Sequence, residues 1–368
     1  MRIWKFAKIA LAVLLCFSCV SYSALADGEA YAEEKIEVDI PEGLQEYLPE
    51  NIEGFRASDV MERFDFGFFT KTFIRILSEA APEAAKSFAL LLGVMILCAV
   101  LGILKRTVAS SGLQLSLDLV GMVCVASAVF AVTESAFGLA EEFVGTLAAF
   151  MKRTTPVMSG FMVAGGEITS AAVTSGVIFT AVSVLEQAVA SVLFPLIRLS
   201  LCMSVVSTVF GIPGISGLAP TIRKLTSYVF GFVTASLSAV LMFQRLIAKS
   251  TDSLAMRGIR FAVGQFVPFV GGAVNEALAT VMGGIGTIKA ATGVVSAVTV
   301  CLIAAVPVIR ILLHKMFLEL ISVFAGILGL SGEGRLMGEV GSYLGYTAAV
   351  MAISAVFFIL SLSMMAAV

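Results

Sequence analysis

Seven charged side chains stand inside long apolar stretches of this chain, where they could do chemistry within a membrane. They are Glu167, Glu186, Arg198, Glu276, Lys289, Arg310 and Glu319. A charge at the centre of a bilayer costs about 2.5–3.5 kcal/mol on insertion scales, so such side chains usually face protein or a water-filled cavity. They indicate a pore or polar cavity, although a long side chain such as that of Lys289 can instead extend to a membrane surface.

Proline and glycine interrupt the apolar sequence at two matching places. The stretch PVMSG runs from Pro156 to Gly160, and PFVGG runs from Pro268 to the pair Gly271 and Gly272. Proline removes a helix hydrogen bond, and freed backbone groups in a membrane are tolerated where protein or cavity water satisfies them. We predict that both breaks line a pore or cavity inside the bundle; the alternative is a kink that only serves packing.

A second proline follows each break after 39 residues, and an arginine follows that proline by three residues. The tetrapeptides are PLIR, ending at Arg198, and PVIR, ending at Arg310, so the two copies lie 112 residues apart. We interpret the match as an internal duplication, with chance recurrence of common membrane residues as the alternative. Glu276 and Lys289, both in the second copy, complete the set of predicted pore or cavity residues.

Metal and nucleophile chemistry has few residues to use. His314 is the one histidine, no CxxC pair occurs beyond the first 26 residues, and no GxSxG elbow occurs. The four cysteines beyond the first 26 residues lie in apolar segments and are typical of small buried side chains. We expect no enzymatic activity, no metal, no cofactor and no nucleic-acid partner.

Composition predicts an all-α, polytopic membrane helix bundle. The chain is 59% hydrophobic and 14% charged, with a mean hydropathy of +1.01, whereas soluble domains are roughly 45–50% apolar. Residues 1–26 have the basic start, apolar run and Ala-Leu-Ala site of a signal peptide. We expect cleavage after Ala26.

Residues 27–86 form an acidic arm with fifteen acidic and six basic residues. We expect the arm to be translocated and partly disordered. Its end, residues 57–86, has helical periodicity and predicts an amphipathic helix that lies on the membrane, on a partner or on the following helices. A second amphipathic stretch, residues 134–153, is predicted to lie along the outer face.

Apolar segments predict eight spans after signal cleavage. They cover residues 87–104, 115–133, 168–186, 190–210, 226–243, 274–298, 302–327 and 343–366. The first two form an N-terminal unit, residues 87–133, followed by a first repeat, residues 134–243, and a second, residues 244–368. Three spans in each repeat would place the copies in opposite orientation, as an inverted repeat; if residues 268–288 cross alone, the count is nine.

Charge predicts the sidedness of the chain. Residues 244–260 hold four basic residues and one acidic residue, which favours the cytoplasm. We therefore expect residues 244–260 inside the cell and residues 27–86 outside.

The chain resembles the stage III sporulation protein AE family, most specifically over residues 251–293. That segment reads TDSLAMRGIRFAVGQFVPFVGGAVNEALATVMGGIGTIKAATG and is similar to the family's basic-Phe, Gly, Phe-aliphatic-Pro, Val-Gly-Gly and Lys...Gly pattern. Phe269 and Ala279 depart from that pattern, which would have a small aliphatic and an acid there. The order of signal peptide, acidic arm and hydrophobic remainder is also similar to the family's.

The resemblance implies a multi-pass protein of the mother-cell-derived outer forespore membrane. It implies partners among the other stage III A-operon membrane proteins, and a forespore-side partner, in a channel or secretion-like complex needed for sporulation. The alternatives are a non-conducting membrane scaffold that docks partners and a small-molecule permease.

Overall fold

The computed structural model of the chain describes residues 40–41, 43–48, 64, 66–107, 110–210, 218–266 and 271–366. The described residues form seven α-helices, and no strand occurs among them, so the predicted all-α class is confirmed. The helices are α1 Phe66–Thr107, α2 Ser111–Ala164, α3 Ile168–Ala188, α4 Phe194–Phe210, α5 Leu218–Phe266, α6 Gly271–Ile327 and α7 Ser331–Ala366. The predicted signal peptide lies outside the described residues, as does Pro268.

The helices continue through the prolines that were predicted to break or kink them. Pro156 lies inside α2 and Pro307 inside α6. A five-residue π turn, Val189–Leu193, joins α3 to α4 just before Pro195, and the amide of Phe194 bonds back to the carbonyl of Val189. The wider turn keeps residues 168–210 in one helical rod although Pro195 donates no hydrogen bond.

Helices α2 and α6 end at glycines and not at the prolines inside them. Gly166 and Gly329 both have a positive φ, at 85° and 76°. After α2, the amide of Glu167 bonds to the carbonyl of Met162 and the amide of Gly166 to that of Val163. This is the Schellman pattern, which closes the free carbonyls of a helix end and favours glycine at the left-handed position. The same bonds recur around Gly329.

Six helical segments are long and apolar enough to cross a membrane. They are Gly67–Lys105, Ser111–Ala164, Ile168–Phe210, Thr221–Gln244, Ala279–Ile327 and Ser331–Ala366. The predicted count of eight is not confirmed, because residues 168–186 and 190–210 form one rod and residues 274–298 and 302–327 form one helix. Apolar content alone does not separate two spans from one long helix.

The amphipathic stretch 134–153 continues α2 and does not form a separate surface helix. At 1.5 Å per residue, the 54 residues of α2 extend about 80 Å, whereas the hydrocarbon core is about 30 Å thick. Phe137, Phe143, Leu147 and Phe150 are buried against other helices. The apolar face of this stretch therefore packs inside the bundle.

Ion pairs show that α2 runs antiparallel to the rod formed by α3 and α4. Lys152 of α2 pairs with Glu186 at 2.7 Å, and Glu134, further back in α2, pairs with Arg198 at 3.3 Å. As the residue number rises along α2, the number of its partner in the rod falls, so the two helices run in opposite directions.

Helix α2 also runs antiparallel to α6. Gly165 lies against Ile285, and Met158, earlier in α2, lies against Gly293. The rod and α6 therefore point the same way, and each is followed by one returning helix, α5 after the rod and α7 after α6. An even number of crossings leaves two copies in the same orientation, so the three-span argument for an inverted repeat does not hold.

The start of α1 lies at the same end of the bundle as Asp252. Phe64 packs in a cluster with Val295 and Val298, and Phe88 meets the ring of Phe317 at 5.0 Å, so α1 runs parallel to α6. Asp252 contacts the first turn of α3, at the end where α6 begins. If each of the six apolar segments crosses the membrane once, the start of α1 and Asp252 lie on the same side. The placement of residues 27–86 outside the cell and residues 244–260 inside stays a prediction.

Single cysteines in a cysteine-free background test the arrangement of the helix ends. Cysteine at Ser253 and at Ser58, which precedes α1 outside the described residues, should react with an impermeant thiol reagent from the same side of the membrane. Cysteine at Ser111, at the start of α2, should react only from the opposite side. Labelling of positions 58 and 253 from opposite sides would contradict the six-span arrangement.

Candidate functional site

Arg198 joins α4 to α2 through two carboxylates. Its guanidinium lies 3.3 Å from Glu134 and 3.2 Å from Glu141, and 5.3 Å from the centre of the Phe137 ring. The two acids are seven residues apart on α2, which places them on one face with Phe137 between them. Arg198 is thus neutralised in a helix contact.

Arg310, its equivalent in the second copy, lies half-buried on α6 near α1. It is close enough to Tyr47 and Glu79 for its charge to act on both. Glu79 also accepts a hydrogen bond from Tyr47 and pairs with Arg75 at 3.0 Å. Arg198 contacts two acids on α2 directly, whereas Arg310 acts on Glu79 of α1 only through its charge.

Lys289 forms a buried ion pair with Glu167. The two charged groups are 3.1 Å apart, and the lysine side chain is 4% exposed while the glutamate side chain is 25% exposed. Glu167 belongs to the short connection between α2 and α3, and Lys289 belongs to α6. The pair ties that connection to the second copy of the repeat.

Asp252 caps the N-terminus of α3 from another helix. Its carboxylate oxygens accept the amides of Thr169 at 2.9 Å and Ser170 at 2.7 Å. Glu167 occupies the N-cap position but makes no side-chain cap bond, so α5 supplies the acceptor that the first turn of a helix needs. Burial alone would raise the pKa of Asp252, but the hydrogen bonds from Ser170 and Thr169 outweigh burial and hold the pKa below its usual value.

Gly166 completes this meeting point of α2, α3, α5 and α6, which we call the junction and define by Gly166, Glu167, Asp252 and Lys289. A Cβ atom at Gly166 would lie 2.4 Å from the side-chain end of Met256 and 2.6 Å from that of Met282. The positive φ favours glycine here, whereas the flexible ends of the two methionines could shift to admit a Cβ atom. The sequence indicated Glu167 and Lys289 individually, but Asp252 was recognised only as the one acid in a basic connector.

Three of the remaining predicted pore residues are exposed on the surface of this single chain. Pro156 and Gly160 are exposed on α2, and Glu276 is exposed near the start of α6. Gly271 and Gly272 are the first two residues of α6. The helical face of α2 that packs inward carries Thr155 and Met158, so Pro156 and Gly160 point away from the rest of the chain.

A polar cavity that sequence reasoning missed lies between α4, α5 and α7. Its volume is about 180 Å³, and its lining includes Arg223, Arg335 and Glu339 together with hydroxyl groups of Ser204 and Tyr343. The three charges come from helices that are distant in sequence. Their signal in the sequence was weak, because Arg223 and Arg335 both lie close to helix ends, where basic residues are common.

The comparisons with known proteins point to one family. The family model described as stage III sporulation protein AE matches residues 56–368. A curated relative named stage III sporulation protein AE, from Bacillus subtilis (strain 168), is 24% identical over 325 residues, which is 88% of this chain and 80% of the relative. No solved structure matches the chain.

Replacing Asp252 with alanine should destabilise the protein by about 1–2 kcal/mol, the usual cost of losing an N-cap acceptor. The loss is expected in thermal unfolding of purified protein in detergent at neutral pH. Leu254→Ala, at a position 68% exposed, is the matched control and should change stability less.

The same comparison has a defined pH dependence. The folded-state pKa of Asp252 is lowered, so its contribution is complete above the ordinary value of about 3.9 and is lost as the pH falls through the lower folded value. The difference between the parent protein and Asp252→Ala should therefore shrink in strong acid. A difference that grows on acidification would contradict the capping role.

The Lys289–Glu167 pair should respond asymmetrically to substitution. Glu167→Gln leaves a lysine charge that is almost fully buried, at a cost of about 3 kcal/mol. Lys289→Met leaves a glutamate that is 25% exposed and can be hydrated, so it should cost less, and the double variant should resemble Lys289→Met. Equal losses from the two single variants would argue against a buried, directly paired lysine.

Proposed function

Because this chain belongs to the stage III sporulation protein AE family, we propose that it is a membrane-embedded component of a mother cell-to-forespore channel complex required for sporulation. Its partners in this proposal are the other stage III A-operon membrane proteins and a forespore-side protein, and its location is the outer forespore membrane. The family match supports a role in sporulation, and six apolar helices support a membrane location.

One observation favours a component over a self-sufficient channel. The charges that could line a path inside the chain are held in helix contacts: Arg198 with Glu134 and Glu141, and Lys289 with Glu167. A conducting path made with other chains would instead use outward-facing positions of this chain. The exposed face of α2 around Pro156 and Gly160 is the surface that we assign to this path.

A non-conducting scaffold is the second candidate. The ion pairs of Arg198 and Lys289 also favour the scaffold function. Charges that are paired between helices stabilise the bundle and present no polar groups to a solute. The two functions differ in whether the face of α2 around Gly160 contacts water in the assembled complex. That difference can be measured.

Gly160→Cys tests the proposal in a cysteine-free protein that replaces the native copy in sporulating cells. If this face lines a water-filled path, a small charged thiol reagent should modify the cysteine when the other A-operon proteins are present, and modification should reduce spore formation. Leu360→Cys, at an outward-facing position 44% exposed on α7, is the control and should remain unmodified.

The outcomes separate the candidates. Modification at position 160 that depends on the partner proteins supports a channel wall. An unreactive cysteine at 160, with normal insertion and a reactive control at Ser253→Cys, would contradict the channel role and leave the scaffold as the better account.

A further inference from the structure

The polar cavity between α4, α5 and α7 differs from the other charged groups of the bundle. Among the described residues, neither Arg223 nor Arg335 forms an ion pair with Glu339, although both guanidinium groups are near enough to act on its charge. By contrast, Arg198 contacts two carboxylates and Lys289 contacts one. The cavity therefore contains two cationic groups that form no direct ion pair with a carboxylate of the described residues.

One wall of the cavity is fixed in place. The guanidinium of Arg223 lies 5.3 Å from the centre of the Tyr343 ring. The hydroxyl of Tyr343 is buried and lies 2.9 Å from the hydroxyl of Ser200 and 3.2 Å from its carbonyl oxygen. Glu339 accepts a hydrogen bond from Ser204. A cavity with ordered walls loses little conformational entropy when a ligand binds.

The cavity lies near one end of the bundle, and it is open on one side to the outside of the chain. Arg223 and Arg335 are in the second turns of α5 and α7, and Ser204 is near the end of α4. Arg335 is exposed and Arg223 is half-buried, so the charge extends from the surface inward. In a protein that crosses a bilayer, helix ends lie near the level of the lipid headgroups.

We propose that this cavity binds a phosphodiester monoanion that also carries a hydroxyl or ammonium donor. Planar guanidinium groups match pairs of phosphate oxygens. The hydroxyls of Thr208 and Ser342 in the lining donate to the backbone carbonyls of Ser204 and Gly338, so the two arginines supply the donors for the phosphate. Two arginines and one glutamate give a formal charge of +1, which complements a single negative charge. Glu339 supplies an acceptor for the ligand's donor.

The space is sufficient for such a group. At about 30 Å³ per water molecule in the liquid, a cavity of about 180 Å³ has room for about six waters or for a phosphate with a short polar substituent. This chemistry is shared by glycerophospholipid headgroups and by free glycerophosphodiesters. The inference is independent of whether the chain conducts.

Binding to the purified full-length protein in detergent tests the proposal and distinguishes the two sources. The probes are dioctanoyl phosphatidylglycerol, soluble glycerophosphoglycerol and, as a probe without a donor, dioctanoyl phosphatidylcholine. Phosphatidylglycerol or glycerophosphoglycerol should bind at least tenfold more tightly than phosphatidylcholine. Binding of the lipid alone identifies a headgroup site open to the bilayer, and binding of the soluble diester alone identifies a site for a free ligand.

Variants of the cavity make the assignment specific. Arg335→Gln and Arg223→Gln should each weaken binding about tenfold or more, and Glu339→Gln should reduce the preference for the probes that carry a donor. Arg257→Gln, at an exposed position on α5 far along the helix from the cavity, is the control and should leave binding unchanged. Because Arg335 is exposed, its variant remains informative even if Arg223→Gln fails to fold.

Two results would overturn the proposal. One is the absence of saturable binding by both glycerol-containing probes. The other is equal affinity of Arg335→Gln and the parent protein, since binding would then not use the cavity.

Discussion

The carboxylate of Asp252 and the α3 amides it accepts hold the two copies of the repeat in register. The first turn of a helix has amides without intrahelical partners, and leaving them unpaired in a buried position is costly. Glu167 cannot supply the cap because its side chain is held by Lys289. The acceptor must therefore come from α5, and this requirement sets where α5 passes the α2–α3 connection.

The junction also explains how a largely apolar bundle obtains a defined arrangement. Apolar side chains pack against many possible neighbours, whereas a buried charge is tolerated beside a particular partner. Lys152 with Glu186, Arg198 with Glu134 and Lys289 with Glu167 each join different helices. The buried lysine of the Lys289–Glu167 pair selects its neighbour most strongly, whereas the other two pairs are partly exposed and contribute less.

Helices α6 and α7 approach each other closely at Gly334. A Cβ atom at Gly334 of α7 would lie 3.0 Å from the carbonyl oxygen of Ser322 and 3.1 Å from Ala325 of α6. Glycine permits such approach between membrane helices, where van der Waals packing replaces the hydrophobic driving force. Helices α6 and α7 are consequently well buried, whereas α5 exposes Tyr228 and Phe232 at 75% and 74%. The first copy therefore has more surface for lipid or for other chains.

The sequence by itself determined the membrane class, the all-α architecture and the family. Each of these depends on local composition or on a contiguous motif, such as residues 251–293, and needs no knowledge of distant contacts. The recurrence of proline and arginine at identical spacing also predicts that Arg198 and Arg310 are equivalent.

Only the tertiary structure decided the number of crossings, the relative direction of the repeats and the partners of the charges. A run of forty apolar residues is compatible with two short spans and with one long rod. At Pro195, the π turn before the proline allows the helix to continue. Pro156 was expected inside the bundle but lies outside, since the direction of a side chain depends on which face of the helix meets its neighbours. Asp252, Arg223, Arg335 and Glu339 act together with residues far away in the chain, so their roles follow from helix packing and not from spacing.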